Sequence, residues 1–126
     1  MGLLDGIMGN ASEQDVNEIA EELAPIMAEQ EQVDMAYKFV RDMFVFTNRR
    51  LILIDKQGIT GSKVTYQSVP YKAITQFCVE TAGHFDLDAE LKIWISGQSE
   101  PIKQELKRGT DVVAIQKALA TRVLFG

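Results

Sequence analysis

The chain has 126 residues, 46% of them hydrophobic and 25% charged, with a formal net charge of −5 and a single cysteine, Cys78. That length supports one domain with a core of its own, and one cysteine excludes an internal disulfide framework. No stretch approaches the roughly 18 apolar residues of a membrane span, the start lacks the positive region of an export signal, and no basic cluster interleaved with aromatics points to nucleic acid, so a cytoplasmic protein is expected.

The charge is unevenly placed. Residues 1–34 hold nine acids and no Lys or Arg, whereas residues 35–126 hold the other nine acids and all 13 basic residues. Residues 1–30 therefore read as an acidic helical arm, and 31–126 as a mildly basic body on which such an arm can dock in cis or on a neighbour. In the arm, Ser12 with Asp15 resembles a capping box. Val16, Ile19, Ala20, Leu23 and Met27 then recur at helical spacing as one apolar stripe, and Pro25 ends or kinks that helix near Ala24.

A first strand is expected over Val33–Val40, running through Arg41 and Asp42 into the segment that dominates the sequence. Met43–Asp55 places two apolar runs around Thr47-Asn48-Arg49-Arg50, the pattern of a hairpin in which Asn48 is the residue best suited to a positive φ. Phe44, Phe46, Ile52 and Ile54 fall on one parity; Met43, Val45, Leu51 and Leu53 fall on the other. A hairpin apolar on both faces needs the core on one side and a helix of the same chain, or another subunit, on the other.

Gly58 and Gly61 mark a turn, followed by alternation from Ser62 to Ser68 and a break at Pro70. A strand over Ala73–Glu80 follows. Phe85–Ser96 alternates most clearly, with Asp86, Asp88, Glu90 and Lys92 on one side and Leu87, Ala89, Leu91, Ile93 and Ile95 on the other. Trp94 falls on the polar parity, where it is either an interface anchor or a partly covered surface aromatic. A short strand, Ile102–Leu106, precedes a last helix capped by Thr110 or Asp111, with Val112, Ile115, Leu119 and Val123 on its apolar face. Seven strands and a terminal amphipathic helix make a mainly β fold of the α+β kind, an antiparallel arrangement plugged by the C-terminal helix.

Chemistry-bearing constellations are missing from the sequence. The lone His84 has no second His or Cys ligand, and the acids of the alternating strand lie in a row, not in a wrapping loop. Gly58-Ile59-Thr60-Gly61-Ser62-Lys63 lacks the spacing of a phosphate loop. No enzyme, metal or cofactor is expected. The charged residues bracketing the hairpin, Lys38, Arg41, Asp42, Arg49 and Arg50, serve either a subunit or anion contact or simple cross-strand pairing.

These residues also carry a resemblance. Arg41-Asp42, Phe46-Thr47-Asn48-Arg49-Arg50-Leu51-Ile52, Asp55, Gly58, Gly61, Ser68-Val69-Pro70-Tyr71, Ile74, Glu80-Thr81-Ala82-Gly83, Leu91, Ile93-Trp94 and Ser96-Gly97 resemble the bacterial pleckstrin-homology-like (PH-like) family, formerly a domain of unknown function. The resemblance runs from about residue 30 to near the end. It implies a seven-stranded PH-like sandwich, or partly open barrel, closed by the C-terminal helix. It also implies cyclic homo-oligomers, possibly pentamers for a single-domain chain, with an unidentified protein partner bound where strands of neighbouring protomers meet. On the family's motif, Arg41, Asp42, Asn48, Arg49 and Arg50 become the candidate interaction surface, to which Lys38 and Trp94 are added from the residue reading. The alternative is a peripheral binder of anionic lipid headgroups. Lys38 and Arg41 lack the second lysine and long loop of the phosphoinositide-binding signature, which counts against it.

Overall fold

A computed structural model describes residues 12–13, 15–39, 42–57, 63–81 and 88–125. Arg41, His84, Asp86 and the Gly58–Gly61 turn of the sequence reading lie outside the described residues. In chain order the elements are β1 (Ser12–Glu13), α1 (Val16–Leu23), a 3-10 turn (Ala24–Ile26), β2 (Val33–Lys38), β3 (Asp42–Thr47), β4 (Arg50–Gln57), β5 (Lys63–Pro70), a 3-10 turn (Tyr71–Ala73), β6 (Ile74–Thr81), β7 (Ala89–Ile95), β8 (Ile102–Leu106) and α2 (Val112–Phe125). Seven of these strands are those expected from sequence, and the two-residue β1 is an addition.

The strands form two antiparallel sheets, ordered β1-β2-β3-β4-β5 and β6-β7-β8. Between them lies the main core. Phe44, Phe46, Leu51 and Leu53 face Leu91, Ile93 and Leu106, and α2 closes the arrangement with Val112, Ile115, Ala118 and Leu119. Asp111 accepts the Ala114 N–H at 3.0 Å and so caps α2. Near the other end, Arg122 pairs with Asp34 of β2 and ties the helix to the first sheet.

The hairpin register corrects the parity expected from sequence. Phe44 lies opposite Leu53, Val45 opposite Ile52 and Phe46 opposite Leu51. A two-residue turn, Asn48-Arg49, makes each pair sum to an odd number, so even positions on β3 share a face with odd positions on β4. One face is thus Phe44, Phe46, Leu51 and Leu53, in the main core. The other is Met43, Val45, Ile52 and Ile54, which with Ala36 forms a second cluster around Ile19 and Leu23 of α1. The spare face of the hairpin is covered by the chain's own arm.

Two local expectations are also corrected. Asp15, not Ser12, caps α1, accepting the Asn17 N–H at 2.9 Å, because Ser12 is drawn into β1 opposite Lys38. Asn48 does not take a positive φ; among the described non-glycine residues only Gln30 does, at 67°. The turn is instead held by the Thr47 hydroxyl, which accepts the N–H groups of Arg49 and Arg50 at 3.0 and 2.9 Å, a side-chain substitute for backbone turn bonds.

Candidate functional site

The candidate residues do not converge on one site. Lys38 is exposed at the end of β2, opposite Met43, and Asp42 begins β3 opposite Asp55. Asn48, Arg49 and Arg50 sit at the other end of β3, a strand of six residues. At ~3.4 Å per residue the two groups are separated by ~17 Å. Trp94 lies on a different sheet, half-buried on the outer face of β7, opposite Gln76.

The hairpin turn carries a dense, mutually hydrogen-bonded polar cluster. Glu31, whose side chain is only 1% exposed, receives Arg50 in a forked contact, Nε to Oε2 at 2.8 Å and Nη2 to Oε1 at 3.0 Å. The Ala28 N–H donates to Oε1 at 2.9 Å, and the Thr47 hydroxyl donates to Oε2 at 2.7 Å. Burial on its own would raise the Glu31 carboxyl. The hydrogen bonds from Arg50, Ala28 and Thr47, with the Arg50 charge, outweigh it and hold the group at about 2. Arg50 continues to the Ser68 hydroxyl at 2.6 Å and to the Ile26 carbonyl at 2.7 Å. Beside it, Asn48 binds both sides of the arm's last turn, accepting the Gln32 N–H at 2.8 Å and donating to the Gln30 carbonyl at 3.3 Å. Tyr71, from the link between the sheets, donates its hydroxyl to the Thr47 carbonyl at 2.6 Å, and its burial pushes the phenol up.

These contacts form a latch that fastens residues 26–32 to the hairpin turn. Arg50 and Asn48 are engaged in it. Arg49 is exposed and, among the described residues, makes no side-chain ion pair, so it is the outward cation of the turn. Sequence reasoning missed Glu31, which looks there like one acid among nine. The available signal was that an arm without any cation must find its charge partners in the body.

A second surface lies at the edge of the first sheet. In β5, residues Lys63–Ser68 are exposed on both faces, and Val64 and Tyr66 are exposed to 36% and 54%. On the outer face of the other sheet, Lys92 bridges Glu80 at 3.1 Å and Glu90 at 4.0 Å, and the Glu80 contact raises its pKa. Among the described residues no group of three or more His, Cys, Asp or Glu is placed to hold a metal, and no helix is long and apolar enough to cross a membrane.

The family model described as the bacterial PH domain matches residues 2–123. The chain belongs to the bacterial PH domain family. The architecture above is accordingly the PH-like fold, with the seven long strands and C-terminal helix that the motifs implied. A crystal structure of a protein with a pleckstrin-homology domain from Shewanella loihica PV-4, described as of the DUF1696 family, is 66% identical, covering 92% of this chain and 99% of that one with a TM-score of 0.82. A pleckstrin homology domain from Shewanella amazonensis SB2B is 65% identical, covering 97% and 98%, again with a TM-score of 0.82. The uncharacterized protein YjqA of Bacillus subtilis is 55% identical over 121 residues, 95% of this chain and 97% of that protein.

Proposed function

We propose that this bacterial PH domain is a non-enzymatic interaction module that assembles with copies of itself into a closed ring and binds a protein partner at the junctions between protomers. The carrying observation is β5, an eight-residue strand at an open sheet edge whose side chains from Lys63 to Ser68 are exposed on both faces. Among the described residues no strand pairs with the outer edge of β5, which offers its backbone groups and, at Val64 and Tyr66, apolar surface to a neighbour. A ring needs two different complementary patches on each protomer. The acidic outer face of α1, with Glu18, Glu21 and Glu22 exposed over the face built on β2, β3 and β4, supplies a second. Arg49 and Lys38, exposed at the two ends of the hairpin, are the cations of this surface.

The alternative, an anionic-lipid binder, draws less support from this arrangement. Four clustered cations would give weak, salt-sensitive binding at ~1 kcal/mol each, but Lys38 and Arg49 are a strand length apart and Arg50 is engaged by Glu31.

The test is the solution mass by light scattering on a sizing column. A value of about five times 14.1 kDa is expected. A monomer at micromolar concentration would remove the ring reading.

A further inference from the structure

The two apolar clusters are unequal partners. The main core is built from both sheets and α2, whereas the second cluster lies on the opposite side of the first sheet and, among the described residues, is closed only by α1 and its flanks. Of the eight residues of α1, only Ile19 and Leu23 are buried. Among the described residues no side chain of α1 makes a hydrogen bond or ion pair, so the helix is held by apolar contact. Upstream, β1 adds a pairing of two residues with β2. Downstream, the chain is bolted. The Glu31–Arg50 fork, the Arg50 bond to the Ile26 carbonyl, the Thr47 hydroxyl and the Asn48 amide fix residues 26–32 to the turn. Because Arg50 holds the Ile26 carbonyl at 2.7 Å, the stretch left between the bolted segment and the helix is Ala24-Pro25, the start of a 3-10 turn with no side-chain cap.

We propose that α1 is a hinged cover, and that the face beneath it, built on Ala36, Val45, Ile52 and Ile54, is a docking surface for the α1 helix of a second copy. The joint at Ala24-Pro25 lets the helix leave while the latch keeps the arm from Ile26 onward in place, and the main core contains no residue of α1. The occupant is argued from the fit already present. α1 itself fills this face, and a second copy presents the same Ile19 and Leu23, one helical turn apart. Its acids Glu18, Glu21 and Glu22 stay in water in either copy, so exchange buries no charge. The inference goes beyond the ring reading, since a protomer that is monomeric in dilute solution still carries the covered face.

The resident helix competes with the incoming one. A face that is open about 1% of the time weakens apparent affinity about a hundredfold. The experiment titrates a fluorescein-labelled peptide of residues 12–27 into the full-length protein and into full-length Leu23→Asp, which loosens the cover without touching the main core. The variant should bind at least tenfold more tightly than wild type, and a peptide carrying Ile19→Asp and Leu23→Asp should bind neither. Equal affinity for the two proteins, no binding to either, or binding of the charged peptide would overturn the proposal. An unrelated acidic amphipathic peptide that binds as tightly would make the occupant a foreign helix and overturn the assignment to a second copy. Hydrogen exchange on Leu23→Asp completes the test. Protection should be lost in α1 and kept in β3 and β4; joint loss would show that cover and body form one cooperative unit and would also overturn it.

Discussion

Glu31 and Arg50 show how a buried ion pair is made tolerable in this protein. Each charge removed from water carries a desolvation cost that one partner alone does not offset, and here the remaining carboxylate lone pairs are filled by Ala28 and Thr47. Glu31→Gln keeps the shape and removes the charge, and should cost about 2–3 kcal/mol at neutral pH in urea unfolding. Its pH dependence identifies the cause. The folded pKa is depressed from its ordinary 4.5 to about 2, so the stabilisation is complete above pH 4.5 and is lost as pH falls toward 2, a difference of about 3 kcal/mol. Wild type should therefore lose its advantage over Glu31→Gln across that window. Parallel curves from pH 5 to pH 2 would show that the pair contributes little. Next to it, Gln30 holds φ at 67° in the turn closed by the Glu31 N–H to the Ala28 carbonyl at 3.1 Å. A side chain there is strained, and Gln30→Gly should gain about 0.5–1 kcal/mol despite the larger chain entropy of glycine. A loss in the same unfolding assay would locate the strain elsewhere.

At the scale of elements, local patterns were legible and non-local pairings were not. The period of Val16, Ile19, Leu23 and Met27 marked the helix and its buried side, and the apolar runs around Thr47-Asn48 marked the hairpin. The face assignment failed because parity along one strand carries no information about its partner until the number of turn residues is known. With Asn48-Arg49 as the loop, Phe46 meets Leu51 and the two strands exchange odd for even. The latch was invisible for a related reason. Glu31 and Arg50 are 19 residues apart, and their meeting depends on how the arm crosses the sheet. The cap of α1 moved from Ser12 to Asp15 because strand pairing competed for the earlier residue. Asp15→Ala should consequently loosen α1 by about 1 kcal/mol. Hydrogen exchange should show it as faster exchange in 16–23, with α2 unchanged. Equal exchange in both proteins would mean that Asp15 contributes no capping energy.

At the scale of the whole molecule, the fold separates stability from contact. The main core is enclosed by two sheets and α2, while β5 projects at the edge with little of its side-chain surface buried, Val69 excepted. Charge on β5 should therefore act on association more than on folding. In Val64→Lys combined with Tyr66→Lys, two exposed apolar side chains become cations at a strand edge, a substitution that natural edge strands use to prevent pairing. Because both side chains already stand partly exposed and lie outside both buried clusters, unfolding free energy should change by less than about 1 kcal/mol. Light scattering should show the assembly falling toward a single 14.1 kDa chain. If the variant instead keeps the mass of wild type, β5 is not the junction. If mass and stability fall together, folding and assembly are coupled, and the edge serves the protomer as well as the ring.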